Sequence, residues 1–214
     1  MIDRFKILPE EKKKRILDAA IEEFAINGYD KASTNSIVRK ADISKGILFH
    51  YFESKKNLFL YIFDHCMTNL LDKYHSVKET QPKDIFERIM WISLRKIKIN
   101  NEEPLMNKLV FSAITNMPES LKQEITERYN SYYAKEMPRF FGDIDTSKFR
   151  KDIDKQKAIE LIMMCMDGIS NKYLQKYKNT SVDEVFNDVE KIMDECNEYM
   201  EILKFGIYSG IEGK

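Results

Sequence analysis

Apolar residues recur along this chain at intervals of three and four, which commits the backbone to helices. Ile16, Leu17, Ala20, Ile21 and Phe24 fall on one side of one helix, and Phe59, Ile62, Phe63, Cys66, Leu70 and Tyr74 on one side of another. No run reads as a sheet strand. Seven Gly and five Pro in 214 residues are also too few turn residues for an all-β fold. Pro82, Pro104, Pro118 and Pro138 divide the later part of the chain into helix-length segments. The expected fold class is all-α, and a hydrophobic fraction of 43% is enough for a core of ordinary size.

Several function classes are disfavoured at once. No stretch approaches 18 consecutive apolar residues, and the N-terminal MIDRFKILPEEKKKR has no apolar run leading to a small-residue cleavage site. Neither a membrane span nor a secretory signal is therefore expected, and the expected location is the cytoplasm. Cys66, Cys165 and Cys196 are odd in number and far apart, which fits reduced thiols better than disulfides or a zinc site. No metal and no cofactor is expected. A catalytic reading needs convergent titratable groups, but His65 and Cys66 are helix neighbours pointing to different faces, and Asp167 near Cys165 lacks a histidine partner. The G-x-x-x-x-G-K and H-E-x-x-H patterns are absent, so the chain is not expected to be an enzyme. Formal net charge is zero, yet residues 1–60 carry 12 Lys/Arg against 9 Asp/Glu while the rest carries 23 against 26. That mild asymmetry permits a DNA-binding N-terminal part without establishing one.

The N-terminal segment is well punctuated. Pro9 can occupy the first helical position, Glu10 and Glu11 suit the positive end of the dipole, and Gly28 can supply a left-handed stop. A short helix is expected from about Thr34 to Ala41, capped by Ser33 or Thr34. After a turn at Asp42-Ile43, Ser44 can cap another short helix reaching about Tyr51, and Ser54 can cap a long one from Lys55 towards Tyr74. At 100° per residue the middle helix puts Leu48 and Phe52 on a core side flanked by Tyr51. Gly46 and His50 lie opposite, with Ile47 and Phe49 at the edges and Lys45 near the start. A small, basic and apolar surface on a short capped helix suits a DNA major groove.

These residues carry a family resemblance. "RILDAAIEEFAINGYDKAST" and "IVRKADISKGILFHYFESKKNLF", within residues 10–65, resemble the N-terminal domain of the tetracycline-repressor (TetR) family of transcriptional regulators. The family pattern is an alanine-rich helix ending in F-x-x-x-G-Y/F, a threonine-initiated second helix, and S-x-G-x-L-Y-x-Y-F-x-x-K-x-x-L. The resemblance implies a three-helix helix-turn-helix DNA-binding domain over residues 1–54 and a helical effector-binding and dimerisation domain over 55–214. It implies that Thr34, Ser44, His50, Tyr51 and Lys55 approach DNA phosphates, while Lys45, Gly46 and Phe49, with Ile47 on the same outer side, face bases. The implied partners are double-stranded operator DNA, a second copy of the chain and a small apolar or amphipathic effector, with repression as the expected mode. Three positions depart from the pattern: Asp42 replaces the usual turn Gly, Ile47 the common Thr, and Phe49 the common Tyr. The last two remove hydroxyls from the outer side and favour apolar contact.

Beyond residue 65 the resemblance is one of helix layout. Gly142 to Lys151 is the longest candidate loop, after which Asp154 can cap a helix through Tyr177, and Ser181 with Glu184 forms a capping box opening a final helix to about Ile207. Apolar residues cover nearly the whole circumference of the first of these helices, and a second stripe of Phe186, Met193, Met200 and Ile207 runs along the last. One protomer needs only one stripe, so Ile162, Met166, Ile169, Tyr173, Val185, Val189, Ile192, Cys196 and Tyr199 are expected at a four-helix dimer interface. An effector pocket implied by the resemblance, between the helix after Ser54 and the middle helices, could draw on Phe63, Met67, Met90, Trp91, Leu94, Met106, Phe111, Phe140, Met163 and Met166. His65, beside Asn69 and Asp72, falls on the polar side of its helix. The competing reading is a helical thiol-redox sensor or protein-interaction module.

Overall fold

The computed structural model describes residues 5–76, 79–177, 184 and 187–210. Among them are nine α-helices and no strand: α1 Glu10–Lys31, α2 Thr34–Lys40, α3 Lys45–Phe52, α4 Lys55–His75, α5 Ile85–Glu102, α6 Pro104–Thr115, α7 Lys122–Phe141, α8 Lys155–Lys176 and α9 Val189–Ile207. A 3₁₀ turn, Glu119–Leu121, precedes α7, and the nearest approach to a sheet is the isolated bridge between Phe149 and Tyr208. The chain packs as two compact units, residues 1–79 with 95–135, and 80–94 with 136–214. These units are cut differently from the expected division at residue 54, because α4, α6 and most of α7 pack with the N-terminal helices.

In the first unit, α1 lies against α2, α4 and α6, and α6 also covers α4. Ile16, Ala20 and Phe24 of α1, Ile37 of α2, Leu48 and Phe52 of α3, and Phe59, Ile62, Phe63 and Cys66 of α4 share one core with Leu109 and Leu121. Phe24 and Tyr29 both meet the Phe59 ring edge-on, at 5.0 and 5.2 Å between centroids. Each fully buried aliphatic or aromatic side chain contributes about 1.5–3 kcal/mol relative to exposure. Pro9 stands just ahead of α1 rather than at its first position, and Gly28 interrupts the helix at φ 65°, ψ 176°. That is an extended region open essentially to glycine alone, so the stop is of a different kind from the left-handed cap expected.

The turn between α2 and α3 keeps its geometry without a glycine. Asp42 sits at φ 53°, and Ile43 N–H donates to the Val38 carbonyl at 3.0 Å. An Asp tolerates that conformation at small cost. Glu53, between α3 and α4, also has positive φ, 62°, with its N–H donating to the Phe49 carbonyl at 2.8 Å. Nothing local in the sequence announces it.

The second unit is built around Ile85, Phe86, Ile89, Phe149, Ala158, Ile162, Met200, Ile207 and Tyr208. Asp84 ties its parts together: its carboxylate accepts the Phe86 N–H at 3.0 Å, the Lys148 ammonium at 2.8 Å and the Tyr208 hydroxyl at 2.7 Å. Arg88 is wholly buried, donating to the carbonyls of Phe140, at 2.5 Å, and Pro82, and to Asp143 at 2.9 Å. At Gly142 the backbone turns so tightly that a Cβ would stand 2.4 Å from the Pro138 carbonyl oxygen.

The last two helices run antiparallel. The Tyr177 hydroxyl donates to Asp188 at 2.5 Å, and Glu195 accepts from both the Tyr173 hydroxyl and Lys172. Those bonds, the Lys172 bond above all, bring the Glu195 carboxyl down to about 2. Expected Val185, with Val182, Phe186 and the Ser181 end of the capping box, lies outside the described residues.

Candidate nucleic-acid interface

The DNA-facing candidates are positioned by caps that the sequence specifies locally. Ser33, rather than Thr34, caps α2, its hydroxyl accepting the Ser36 N–H at 3.3 Å. The Ser44 hydroxyl accepts the Ile47 N–H at 3.2 Å, and the Ser54 hydroxyl that of Asn57 at 3.1 Å. Thr34 is the first residue of α2 and half-buried. A carboxylate missed by sequence reasoning sets the position of α2. Glu23 is buried on α1 and accepts the Ser33 N–H and the Asn27 amide, each at 2.9 Å. Burial pushes its carboxyl up, but the bonds from Ser33, Ser36 and Asn27, with Lys40 nearby, hold it below the usual carboxylate range. The partners lie between 4 and 17 residues away and share no local pattern with it.

On α3 the two sides separate as the periodicity predicts. Leu48 and Phe52 are buried, Lys45, Gly46 and His50 are exposed, and Ile47, Phe49 and Tyr51 are half-buried. Tyr51 leans on the buried Phe5 at 5.8 Å and on His50 at 5.4 Å, so it belongs partly to the core. Gly46 has a helical backbone, and a Cβ there would meet only the Ser44 hydroxyl, at 3.9 Å. A glycine inside a helix costs about 1 kcal/mol relative to alanine, and here the fold gains nothing from it. The space it leaves opens outward.

Lys55, expected to swing outward, is turned back in the free chain: its ammonium donates to the Asp30 carbonyl at 3.1 Å and lies 4.9 Å from the centre of the Tyr29 ring. His65 is half-buried rather than on a solvated side, and burial holds its imidazole below the ordinary value.

The expected pocket residues divide between the two units. Phe63 is core, Met67 and Met106 pack against that core, and Phe111 is half-buried on α6. Phe140 is buried in the second unit, and Met163 is half-buried on α8. Met90, Trp91, Leu94 and Met166 do converge, lining a cleft of about 390 Å³ among α5, α8 and α9 together with Met193, Cys196 and Met200. Glu87, Glu201 and Lys204 stand at the same cleft, with Lys204 paired to Glu201. Of the thiols, burial pushes Cys66 up to about 12 and Cys196 upward as well. Weakly ionised thiols are poor nucleophiles, which disfavours redox sensing at these two positions.

The expected dimer residues divide similarly. Ile162, Ile169 and Tyr173 are buried within the protomer, Val189 and Ile192 are half-buried, and Met166 and Cys196 line the cleft. Tyr199 is exposed, and so are apolar residues outside the expected set: Leu161 (49%) and Met164 (67%) on α8, Ile202 (68%) and Phe205 (45%) on α9. The register fixed by the Tyr177–Asp188 and Tyr173–Glu195 bonds puts Leu161 level with Phe205 and Met164 level with Ile202.

A long helix followed by two short ones, the second and third joined by a tight turn and the third presenting one side outward, defines a helix-turn-helix protein. Two family models account for most of the chain: bacterial regulatory proteins of the tetR family over residues 16–62, and a tetracyclin repressor-like C-terminal domain over residues 83–208. The chain belongs to the TetR family of bacterial regulatory proteins. It is 30% identical over 124 residues to the Bacillus subtilis HTH-type transcriptional regulator YvkB, covering 53% of this chain and 64% of that one. It is 32% identical over 122 residues to the Staphylococcus aureus HTH-type transcriptional regulator QacR, covering 56% and 55%. The chain thus spans between about half and two-thirds of the length of these curated relatives. A TetR family transcriptional regulator from Chloroflexus aurantiacus has the same fold, with a TM-score of 0.56 and 21% identity over 96% of this chain and 97% of that one.

Proposed function

We propose that this protein is a transcriptional repressor that binds a near-palindromic operator as a homodimer and leaves it when a small apolar or amphipathic effector binds. The observation that carries the reading is Gly46, a glycine on the exposed side of α3 that the fold itself does not require. It lets the helix backbone approach a surface outside the protein, flanked by Lys45, Ile47, Phe49 and His50. Thr34, Ser44, Tyr51 and Lys55 surround it as phosphate contacts, with hydroxyls and the α3 N-terminus suited to anions. Residues 1–54 would read the operator and 55–214 would sense and dimerise; the relatives named above are regulators, not enzymes.

The dimer would close over the apolar positions left exposed on α8 and α9, Leu161, Met164, Ile202 and Phe205, with Tyr199 at their edge. The effector would occupy the cleft against Met90, Trp91, Leu94 and Met166, where thioethers and an indole suit an adaptable apolar site. Residues of α5 up to Leu94 line the cleft, and the next residue, Arg95, donates to the Tyr74 and Lys73 carbonyls at the end of α4, both at 3.0 Å. The effector must bind the released state better than the operator-bound one, or it shifts nothing.

Selection of duplexes from a random pool by the full-length protein tests the reading. Enrichment of a two-fold-related sequence, with half-sites about 34–36 Å apart or a multiple of that, is the expected result. Binding that tracks only DNA length, with no sequence enriched, contradicts it.

A further inference from the structure

α3 turns an apolar pair outward beside a cation. Ile47 and Phe49 are half-exposed at the two edges of its outer side, and the Lys45 ammonium lies 6.0 Å from the centre of the Phe49 ring, one helical turn on. Cation and ring therefore address the same patch beyond the helix surface. Neither Ile47 nor Phe49 can donate or accept a conventional side-chain hydrogen bond, so what they recognise must be an apolar group of matching shape. Along the edges of the four bases in the major groove, the apolar group on offer is the thymine 5-methyl, whereas guanine O6 and N7 are the acceptors an ammonium takes. Gly46 lies between Lys45 and Ile47 and lets the backbone come close enough for short side-chain contacts on both sides.

We propose that Ile47 and Phe49 are specificity-determining residues that pack on thymine methyls, and that Lys45 donates to a guanine within the same few base pairs. The proposal rests on the operator-binding reading and narrows it to a half-site in which thymine and guanine lie together. Ile47 and Phe49 discriminate by removing methyl surface from water, and Lys45 by a hydrogen bond. A methyl-bearing base and a methyl-free one with identical hydrogen-bonding edges are therefore distinguishable to this protein.

The test uses the operator selected by the full-length protein. Each thymine in turn is replaced by deoxyuridine, which deletes the methyl and keeps every hydrogen-bonding group, and Kd is measured by fluorescence anisotropy. At one or two positions per half-site the affinity is expected to fall about fourfold per methyl, the worth of one buried methyl-sized group, and about sixteenfold when both half-sites are changed. The Ile47→Ser, Phe49→Asn double variant, which has neither apolar group, is expected to bind thymine and deoxyuridine operators with equal affinity, whatever that affinity is. The change on the DNA side leaves the protein untouched, so misfolding cannot imitate it. Deoxyuridine operators that bind as tightly as the parent at every position overturn the proposal while leaving operator binding intact. Methyl sensitivity that survives in the double variant also overturns it, by assigning the contact to other residues. Failure to enrich any sequence overturns operator binding itself, and this proposal with it.

Discussion

Replacing Glu23 by alanine removes the carboxylate that holds the start of α2 against α1. Its Oε1 accepts both the Ser33 N–H and the Asn27 amide at 2.9 Å, and a bond from Ser36 adds to them. A hydrogen bond to a charged group contributes about 1.5–3 kcal/mol, and a buried donor left unmet costs about 1–3 kcal/mol. Both bonds are part-buried, and losing these two charge-assisted contacts is expected to cost about 3 kcal/mol. For a chain of this length that lowers the melting midpoint by about 6–12 °C. Glu22→Ala supplies the control: its carboxylate meets Lys40 at 2.8 Å on the surface, where an exposed pair is worth about 0–1 kcal/mol. The sign of the pH dependence follows from the depressed carboxyl. Glu23 stabilises the fold above its unfolded pKa, about 4.3, and that contribution is lost as pH falls through the lower folded value. Thermal melts of both variants between pH 3 and 7 check this, with the Glu23→Ala deficit shrinking below about pH 4. A Glu23→Ala protein no less stable than Glu22→Ala at pH 7 would refute the assignment.

Other consequences are measurable. Lys55→Ala is expected to weaken binding to specific and random duplexes alike, and to reduce the salt slope by about one unit for each phosphate the side chain no longer neutralises; an unchanged slope removes Lys55 from the interface. Leu161→Glu combined with Phe205→Glu puts charges on the exposed apolar positions of α8 and α9, and sedimentation should then show folded monomers; a dimer that persists places the interface elsewhere. Trp91 is the single tryptophan of the chain and lines the cleft, so an apolar probe such as anilinonaphthalene sulfonate should quench it and Met166→Glu should abolish the effect. Quenching that survives Met166→Glu argues for a different site.

What can be read from the chain is what local chemistry decides. The serine caps at 44 and 54, the aspartate cap at 154, the positive φ at Asp42 and the two-sidedness of α3 each depend on residues within one or two turns. Helical spacing also shows α8 to be apolar on more than one side, and Leu161 and Met164 stand exposed on it. It does not say which stripe faces inward: Ile162 and Ile169, expected against a partner, are buried within their own protomer, because burial depends on where α5 and α9 happen to lie. The same limit hides Glu23 and Arg88, whose partners are 10 and as many as 55 residues away. It also hides the cleft, since Met90 and Met166 become neighbours only through tertiary packing.

The proposed operator recognition turns on α3 meeting DNA through the space at Gly46, and Gly46→Ala tests that most directly. The added Cβ meets only the Ser44 hydroxyl, at an ordinary 3.9 Å, and alanine favours the helix by about 1 kcal/mol, so the melting midpoint should hold or rise. Operator affinity, measured by anisotropy on the selected duplex, should fall about tenfold or more, as an added methyl at a tight contact costs about 1–3 kcal/mol. An operator Kd unchanged in a stable Gly46→Ala protein would contradict the claim that this side of α3 approaches DNA.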